Sequence, residues 1–419
     1  MHEPAMEPLS RRAVASTADI RSHFPALDRR EQGQPVAYFD GPGGTQVPRA
    51  VADAMVEYLF YHNANTHWAY PTSAETDAAL ALGRETFAAL LNGAAEEIVF
   101  GANMTTLTMH LSRAVGRRLH TGDEVVVTEL DHHANVAPWT ALSTERGAAV
   151  RVGRLVPETG RLDMDHLLSL IGERTRLVAI GAAANALGTI NDLQPVIAAA
   201  RGVGALVFVD GVHFVPHELP DVQALGCDFF ACSPYKCYGP HVGVLWGRED
   251  LLRRQDFARL LPASNEPPER AETGTLCHEG IVGAAAAVEW LAALAGNDGP
   301  VRERLAIVYA ALHDRGGQLF RRLWDELADM PRVRLFGPPP DAARTPTMAF
   351  VVDGVPSSAV SRQLASRGLF TSHGDFYAMT VVERLGLAPE GLVRAGCACY
   401  TTEDEIDRLV GAVREIAAG

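Results

Sequence analysis

The stretch Phe229-Phe-Ala-Cys-Ser-Pro-Tyr-Lys-Cys-Tyr-Gly-Pro240 joins a short apolar run to a loop that carries Lys236, the only lysine among 419 residues. Every other residue among the 37 lysines and arginines is an arginine. Arginine stays protonated and suits salt bridges, whereas a desolvated lysine amine loses its proton and attacks carbonyl groups. The sequence therefore marks Lys236 as a candidate nucleophile.

Short apolar runs alternate with helical patterns through the middle of the chain, which is typical of a parallel sheet with crossover helices. Near-continuous apolar runs of this kind suit strands that are buried on both faces. The last run predicts a hairpin-like return. The predicted strands are 97–100, 124–128, 148–152, 176–180, 205–209, 229–232 and 242–246.

The C-terminal third has a different pattern, which predicts a smaller α+β domain. Residues 280–296 predict a buried alanine-rich helix, and 261–272 an exposed proline- and acid-rich loop. The remaining predicted elements are helices at 301–330 and 403–417 and strands at 332–336 and 347–352. We expect three parts: an N-terminal segment, 1–37, that packs on the small domain, a large domain, 38–285, and the small domain, 286–419.

The bulk properties exclude several classes of protein. A net charge of −14 and a pI near 5.5 disfavour nucleic acid and anionic membranes as partners. No apolar run is long enough for a membrane helix, and Arg11-Arg12 precedes no apolar signal region. The six cysteines indicate neither a disulfide scaffold nor a zinc site, which predicts a reducing cytoplasm. Cys397 and Cys399 are expected on one face of a strand.

Polar residues follow five of the predicted strands directly. Ligands of open α/β sheets bind beyond the carboxyl ends of the strands, so these residues are expected to meet at one edge. They are Asn103-Met104-Thr105-Thr106, Asp131-His132-His133, Asn185, Asp210 and Lys236.

One cofactor, pyridoxal phosphate, explains this set. A buried Asp210 can hold a pyridinium nitrogen protonated. The helix start at Met104-Thr105 offers free N–H groups to a phosphate, and Ser233 adds a hydroxyl. His132 can stack on the ring, and Lys236 can form a Schiff base. Each residue alone also has an ordinary structural use, as a cap, a turn former or a loop residue.

Four motifs resemble the successive motifs of class V aminotransferase-fold enzymes, above all the cysteine desulfurases and cysteine desulfurase-like enzymes. The resemblance runs from about residue 38 to 409, in the order and spacing of that family. It implies aminotransferase fold type I, with a mainly parallel seven-stranded sheet in the large domain, bound pyridoxal phosphate and a homodimer. The motifs are Asp131-His-His-Ala-Asn-Val-Ala-Pro-Trp139, Asn185-Ala-Leu-Gly-Thr189, Val209-Asp-Gly-Val-His213 and Ser233-Pro-Tyr-Lys-Cys-Tyr-Gly-Pro240.

The resemblance also implies roles for single residues. Lys236 carries the cofactor, Asp210 pairs with its ring nitrogen, and His132 stacks on the ring. Further cofactor contacts are implied for Met104, Thr105, Ser233, Asn185 and, from a partner subunit, Thr275. Arg394, helped by Asn185, matches the residue that binds the substrate carboxylate.

Three departures from the family pattern matter for function. His213 stands where the family has a glutamine that bonds the ring hydroxyl, and Tyr235 stands where it has a histidine. The desulfurase loop Arg-Thr-Gly-His-His-Cys is replaced by Ser372-His-Gly-Asp-Phe-Tyr377. A persulfide requires a thiolate, which a tyrosine cannot supply. Transfer of sulfur through an enzyme persulfide is therefore not expected. His213 and Tyr235 are still predicted to contact the cofactor.

The predicted function is a lyase of small-molecule or secondary metabolism that cleaves the C–S bond of a cysteine S-conjugate by β-elimination. Lys236 would take the α-proton, and Tyr377 or His373 would protonate the departing sulfur. The products would be a thiol, pyruvate and ammonia. Decarboxylation with oxidative deamination, epimerisation, a catalytically retired cofactor-binding protein and a sulfur-transfer partner using Cys397 or Cys399 remain open alternatives.

Overall fold

A computed structural model describes residues 14–419. The first 13 residues of the predicted N-terminal segment lie outside the described residues. The described part of that segment contacts both halves of the molecule. Arg21 donates to the Tyr400 carbonyl at 2.5 Å and to Glu405 at 2.9 Å, whereas the ring of Phe24 packs edge-on against Trp290 at 5.2 Å.

The described chain contains seventeen strands and fourteen α-helices. The strands are β1 Arg30–Glu31, β2 Gln34–Pro35, β3 Ala37–Tyr38, β4 Ile98–Gly101, β5 Glu124–Thr128, β6 Ala149–Gly153, β7 Leu155–Val156, β8 Arg161–Leu162, β9 Thr175–Gly181, β10 Leu206–Asp210, β11 Phe229–Cys232, β12 Gly243–Gly247, β13 Val333–Phe336, β14 Thr347–Val352, β15 Leu369–Phe370, β16 Ser372–Gly374 and β17 Leu392–Gly396. The helices are α1 Thr17–Ser22, α2 Arg49–Glu57, α3 Pro71–Leu91, α4 Met104–Gly116, α5 Ala137–Arg146, α6 Met164–Ser169, α7 Gln194–Gly202, α8 Val222–Leu225, α9 Glu249–Arg254, α10 His278–Ala293, α11 Val301–Ala328, α12 Ser357–Ala365, α13 Met379–Arg384 and α14 Glu403–Ala418.

The large sheet has seven strands in the order β4-β12-β11-β10-β9-β5-β6. Of these seven, β12 is antiparallel to both of its neighbours, because it returns from β11 without a crossover helix. The central strands are buried on both faces, as in Phe229–Cys232, which explains their unbroken apolar sequences. The predicted α/β class and mainly parallel seven-stranded sheet are confirmed.

The small sheet is antiparallel, with the order β13-β14-β17-β16, and packs its inner face against α11, α12 and α14. The N-terminal strand β3 pairs in parallel with β15 beside this sheet. Its Ala37 and the adjoining Phe39 belong to the same apolar core. Ala37 and Phe39 lie on opposite sides of the predicted boundary between residues 37 and 38, and both belong to the core of the small half.

The long helix α11 belongs to both apolar cores. Its first half, with Leu305 and Val308, packs into the core of the large sheet, and its second half, with Phe320 and Leu323, packs under the small sheet. The predicted domain boundary at residues 285 and 286 stays a prediction. Within residues 14–419, no helix is long and apolar enough to cross a bilayer.

The expectation for Cys397 and Cys399 is wrong. Strand β17 ends at Gly396, so both cysteines lie in the turn after it. Cys397 packs into the core of the small sheet and Cys399 into the core of the large one. The chain leaves the strand at this point and crosses between the two halves, so the two-residue alternation no longer applies.

Candidate active site

A cavity lies at the carboxyl ends of β5, β9 and β10 and beside the start of α4. The crossover connections of a parallel sheet leave a crevice at this edge. Nine of the predicted site residues line it together: Met104, Thr105, His132, Asn185, Asp210, His213, Ser233, Tyr235 and Lys236. Arg394, Thr275, His373 and Tyr377 are not among the lining residues.

Lys236 ends a single 3₁₀ turn, Pro234–Lys236, that follows β11. Its side chain is buried, at 5% exposure. Burial, with the positive charge of Arg394, lowers the pKa of Lys236 to about 8, although the nearby carboxyl of Asp210 opposes the shift. About a tenth of the amine is therefore neutral at pH 7, far more than for an ordinary lysine, as a nucleophilic lysine requires.

Asp210 is the last residue of β10, and its Oδ1 accepts a hydrogen bond from the Val212 N–H at 2.9 Å. Burial raises the pKa of Asp210 to about 6. An isolated buried carboxylate is unfavourable, so a cationic group in the cavity would stabilise its ionised form. The pyridinium nitrogen of the cofactor is such a group.

The start of α4 forms a cradle for an anion. Asn103 caps the helix by accepting from the Thr106 N–H, which leaves the first N–H groups of the helix free. Thr105 and Ser233, which each carry a hydroxyl, line the same cavity. Gly243 of β12 passes so close that a Cβ there would lie 2.3 Å from the Asn103 carbonyl carbon. Glycine is therefore required beside the cradle.

His132 lines the cavity, and its Nδ1 accepts from the Ala134 N–H at 3.0 Å. Burial, with the charges of Lys236 and Arg394, lowers its pKa to about 4. The ring is therefore neutral near pH 7. A neutral aromatic ring held by its own turn suits stacking against a flat cofactor.

Tyr235 is fixed beside Lys236 by two contacts. Its ring stacks on His241 at 4.8 Å, with an angle of 13° between the planes. Gly44 packs against the same ring, where a Cβ would come within 3.2 Å. The Nζ atom of Lys236 lies 5.9 Å from the centre of the Tyr235 ring.

Arg394 lies on β17 of the small sheet and points across the junction toward the large sheet. It is 4% exposed, and it donates to the Asn185 carbonyl at 2.8 Å. Its guanidinium lies 4.1 Å from the ring centre of Phe376. Among residues 14–419, neither the Nε of Arg394 nor the buried Oδ1 of Asn185 has a hydrogen-bond partner. A carboxylate bound here would use the unpaired Nε.

The segment Ser372–Tyr377, which we call the flap, comprises β16 and the turn that leads to α13. It contacts the large half through two backbone carbonyls: that of Phe376 accepts from Asn185 Nδ2 at 2.9 Å, and that of Tyr377 accepts from the His133 N–H at 2.7 Å. The Tyr377 side chain is 73% exposed and lies beside His132. Tyr377 is thus at the rim of the cavity.

The structure does not bring His373 to the cavity. His373 pairs with Val393 on β17, whereas its neighbour Ser372 pairs with Arg394. Successive side chains of a strand point to opposite faces, so His373 lies on the face away from Arg394. His373 is exposed to solvent there. The predicted sulfur-protonating role of His373 is therefore not retained.

Thr275 is exposed on the loop before α10 and does not line the cavity of its own chain. Its predicted contribution to the site of a partner subunit stays a prediction.

Sequence reasoning placed Asp131 at the sheet edge without giving it a role, and it missed three further residues that shape the site. Asp131 lines the cavity, and burial raises its pKa to about 7. Phe376 covers Arg394, and the hydroxyls of Thr345 and Thr347 contact His213. The position of Asp131 after β5 was a usable signal. No local pattern marks the other three, because they act on residues that are distant in sequence.

A larger cleft of about 640 Å³ lies between the two halves, along the middle of α11. It contains neither Lys236 nor Asp210, so we place the active site in the smaller cavity. None of the six cysteines, all of which lie within residues 14–419, lines that smaller cavity. Burial raises the pKa of Cys232, Cys397 and Cys399 to about 12, which keeps these thiols protonated.

This fold and this site define a class of protein, a pyridoxal-phosphate-dependent enzyme. The sequence profile of the aminotransferase class-V family matches residues 37–409. The chain belongs to this family.

Within the family, the chain is similar to cysteine desulfurases. A cysteine desulfurase of Pectobacterium atrosepticum is 35% identical, over 95% of this chain and 97% of its own length. The crystal structure of a cysteine desulfurase from Escherichia coli has a TM-score of 0.83 at 29% identity, with 97% of this chain and 99% of that chain covered. The apo structure of one from Thermococcus onnurineus has a TM-score of 0.86 at 26% identity, with 96% and 98% covered.

The cavity fits pyridoxal phosphate. The Nδ1 of His213 and the Oδ1 of Asn185, which have no partner within the described part of the chain, belong to residues that line the space a ring would occupy. The start of α4 can hold a phosphate. Lys236 would bind the aldehyde carbon, and Asp210 the ring nitrogen. When bound, the cofactor withdraws electrons from a substrate Cα and so weakens its bonds.

Proposed function

We propose that this chain is a lyase that cleaves the C–S bond of a cysteine S-conjugate by β-elimination. The observation that carries the proposal is the position of Tyr377 on the flap, where desulfurases carry their nucleophilic cysteine, beside a cavity whose described lining includes no cysteine. Sulfur that leaves the substrate has no thiolate to attack. It leaves the site as a thiol.

The substrate is held at its carboxylate by Arg394. The guanidinium is buried, and burial lowers its pKa only to about 10, so it stays charged near neutral pH. Charge-assisted hydrogen bonds from a buried guanidinium are strong and directional. Asn185 adds its side chain from the large half, so the carboxylate lies between the two halves.

The proton of Cα is taken by the amine of Lys236. Its lowered pKa makes the free base available without a large loss of proton affinity, which is the compromise that a general base requires. The C–S bond then breaks, and its electron pair leaves with sulfur. The Tyr377 hydroxyl, at the rim, protonates the departing sulfur. With one water consumed, the products are a thiol, pyruvate and ammonia.

A product assay tests the proposal. Holoenzyme is incubated with cysteine and with S-alkyl and S-aryl cysteines in deuterated water. We expect equal amounts of thiol and pyruvate from the S-substituted compounds. Carbon dioxide would point to decarboxylation with oxidative deamination, and deuterium in intact substrate of inverted configuration to epimerisation. Absence of any product from a coloured protein would point to a retired cofactor-binding protein. Each of these three results overturns the proposal.

We further propose a homodimer in which Thr275 of each chain completes the phosphate site of the other. The exposed position of Thr275 on the loop before α10 supports this arrangement. A cytoplasmic location and a place in secondary metabolism are part of the proposal. The first rests on six cysteines without a disulfide, and the second on the resemblance alone.

A further inference from the structure

His213 contacts two hydroxyl groups from the other half of the molecule. Its Nε2 lies 3.0 Å from Thr345 Oγ1 and 3.0 Å from Thr347 Oγ1. Thr347 is the first residue of β14, and both threonines are fully buried. The orientation of a histidine on the large-sheet side is therefore set by a strand of the small sheet.

The acceptors around Thr345 and Thr347 determine where their hydroxyl protons can point. The Thr345 hydroxyl can donate to the Gly188 carbonyl at 3.4 Å or to Thr347 Oγ1 at 3.1 Å. Thr347 is the acceptor in the second bond, so its own proton has one acceptor within reach among residues 14–419, Nε2 of His213. A buried hydroxyl proton without an acceptor is strongly disfavoured. If Nε2 of His213 carries no proton, it accepts the hydrogen bond from the Thr347 hydroxyl, and no buried proton is left without an acceptor.

The ring proton of His213 then resides on Nδ1. This atom is buried without a partner in the described part of the chain, and the ring lines the cofactor cavity. Burial, followed by the charges of His217, Lys236 and Arg394, lowers the pKa of His213 well below its usual range. The imidazole is therefore neutral and has one N–H group to offer to a bound molecule.

We propose that Thr347 is a positioning residue that fixes the Nδ1–H tautomer of His213, and so makes this histidine a hydrogen-bond donor to an oxygen of the bound cofactor. Thr345, which lies equally close to Nε2, does not select the tautomer, because its proton has other acceptors. The inference depends on the cofactor and not on which substrate bond is cleaved.

Thr347→Val and Thr345→Val form a matched pair that tests the proposal in the apoprotein. The ring nitrogens of His213 are observed by ¹⁵N NMR and assigned with His213→Gln. We expect an unprotonated Nε2 in the wild type and in Thr345→Val. In Thr347→Val, Thr345 Oγ1 can accept from the ring, so Nε2 should gain a proton in part of the population. Thr347→Ser should restore the wild-type signals.

A protonated Nε2 in the wild type would overturn the proposal by itself, even if Thr347→Val does not fold. Equal spectra for the two valine variants would overturn it as well. The holoprotein gives a second readout. Losing one hydrogen bond to the ring oxygen should move the pH midpoint of the cofactor absorption upward by about one unit in Thr347→Val. It should leave the midpoint of Thr345→Val unchanged, and an identical shift in both variants contradicts the assignment.

Discussion

The ring of Tyr377 lies 5.5 Å from the ring of His132, with 31° between their planes. Tyr377 and its neighbour Phe376 both have positive φ angles, 57° and 56°. Two successive aromatic residues in the left-handed region are uncommon and strained. The strain persists because the carbonyls of both residues are hydrogen-bonded to the large half. The flap thus holds Tyr377 over the residue proposed to stack on the cofactor.

Tyr377→Phe tests the proposed proton donor. Removing the hydroxyl while keeping the ring should lower kcat for a poor thiol leaving group by about 10²-fold, the lower range for general acid catalysis. The absorption of the bound cofactor should not change. His373→Asn is the control, and steady-state kinetics should show it close to wild type, because His373 lies on the other face of β16. A Tyr377→Phe variant with full kcat would show that the Tyr377 hydroxyl is not the proton donor.

Lys236→Ala should abolish the visible absorption band of the protein, because no other lysine exists in the chain to form the Schiff base. Lys236→Arg should be equally colourless, since a guanidinium does not deprotonate near neutral pH. Spectra after dialysis against pyridoxal phosphate provide the measurement. A band that survives either substitution would mean that the cofactor is not joined to residue 236.

The buried amine of Lys236 should make the stability of the apoprotein depend on pH. Its folded pKa of about 8 lies below the unfolded value of about 10.5, so the unfolded state binds more protons between these limits. Stability should therefore rise with pH across this window. At pH 7, Lys236→Met should be more stable than the wild-type apoprotein by about 3 kcal/mol, since the pKa falls from about 10.5 to about 8 on folding and each pKa unit corresponds to about 1.4 kcal/mol.

Urea unfolding of the two apoproteins from pH 7 to about 10.5 gives the measurement. The free energies of unfolding should converge as the pH rises. A constant difference would show that packing rather than charge separates Lys236→Met from the wild type.

Arg394→Met should weaken the binding of amino-acid substrates. The charged hydrogen bonds to the carboxylate contribute about 1.5–3 kcal/mol to the free energy of binding, so their loss should raise KM by about 10–100-fold. The control is a substrate that lacks the carboxylate, an S-substituted cysteamine, which should bind the wild type and the variant equally. Product formation from both compounds provides the readout. An equal loss of activity with both compounds would mean that Arg394 maintains the folded structure and does not bind the substrate carboxylate.

A mixture of Lys236→Ala and Thr275→Val chains tests the shared site. If Thr275 completes the partner's site, each mixed dimer contains one site with both native residues. Unfolding and refolding the two inactive variants together should therefore restore about a quarter of wild-type activity at an equal ratio, because half of the dimers are mixed. If Thr275 serves its own chain, no native site forms. Activity that stays at the level of the separate variants would exclude the partner role.

Much of the large half could be predicted from the sequence. The strands around Val125, Phe208 and Phe230 are buried on both faces, so their unbroken apolar sequences predict buried strands. Residues placed just after these strands, such as Asp210 and Lys236, must reach the same edge of a parallel sheet. Their convergence was therefore a consequence of topology.

The flap and the small sheet could not be predicted in the same way. Whether His373 or Ser372 faces the cavity depends on the register between β16 and β17, which a short polar strand does not specify. The turn at Cys397 likewise depends on how the chain crosses between two cores. These outcomes are decided by long-range packing.

The chemistry at the edge of the large sheet could be deduced from the sequence, because the single lysine, the strand-ending aspartate and the helix start all follow strands of one sheet and so reach the same edge. How the small half completes that edge depends on the packing of the two halves. It brings Arg394, Phe376 and Thr347 to Asn185 and His213 across more than a hundred residues of chain. Hydrogen bonds between two separately formed cores depend on the relative placement of those cores, which no local pattern encodes.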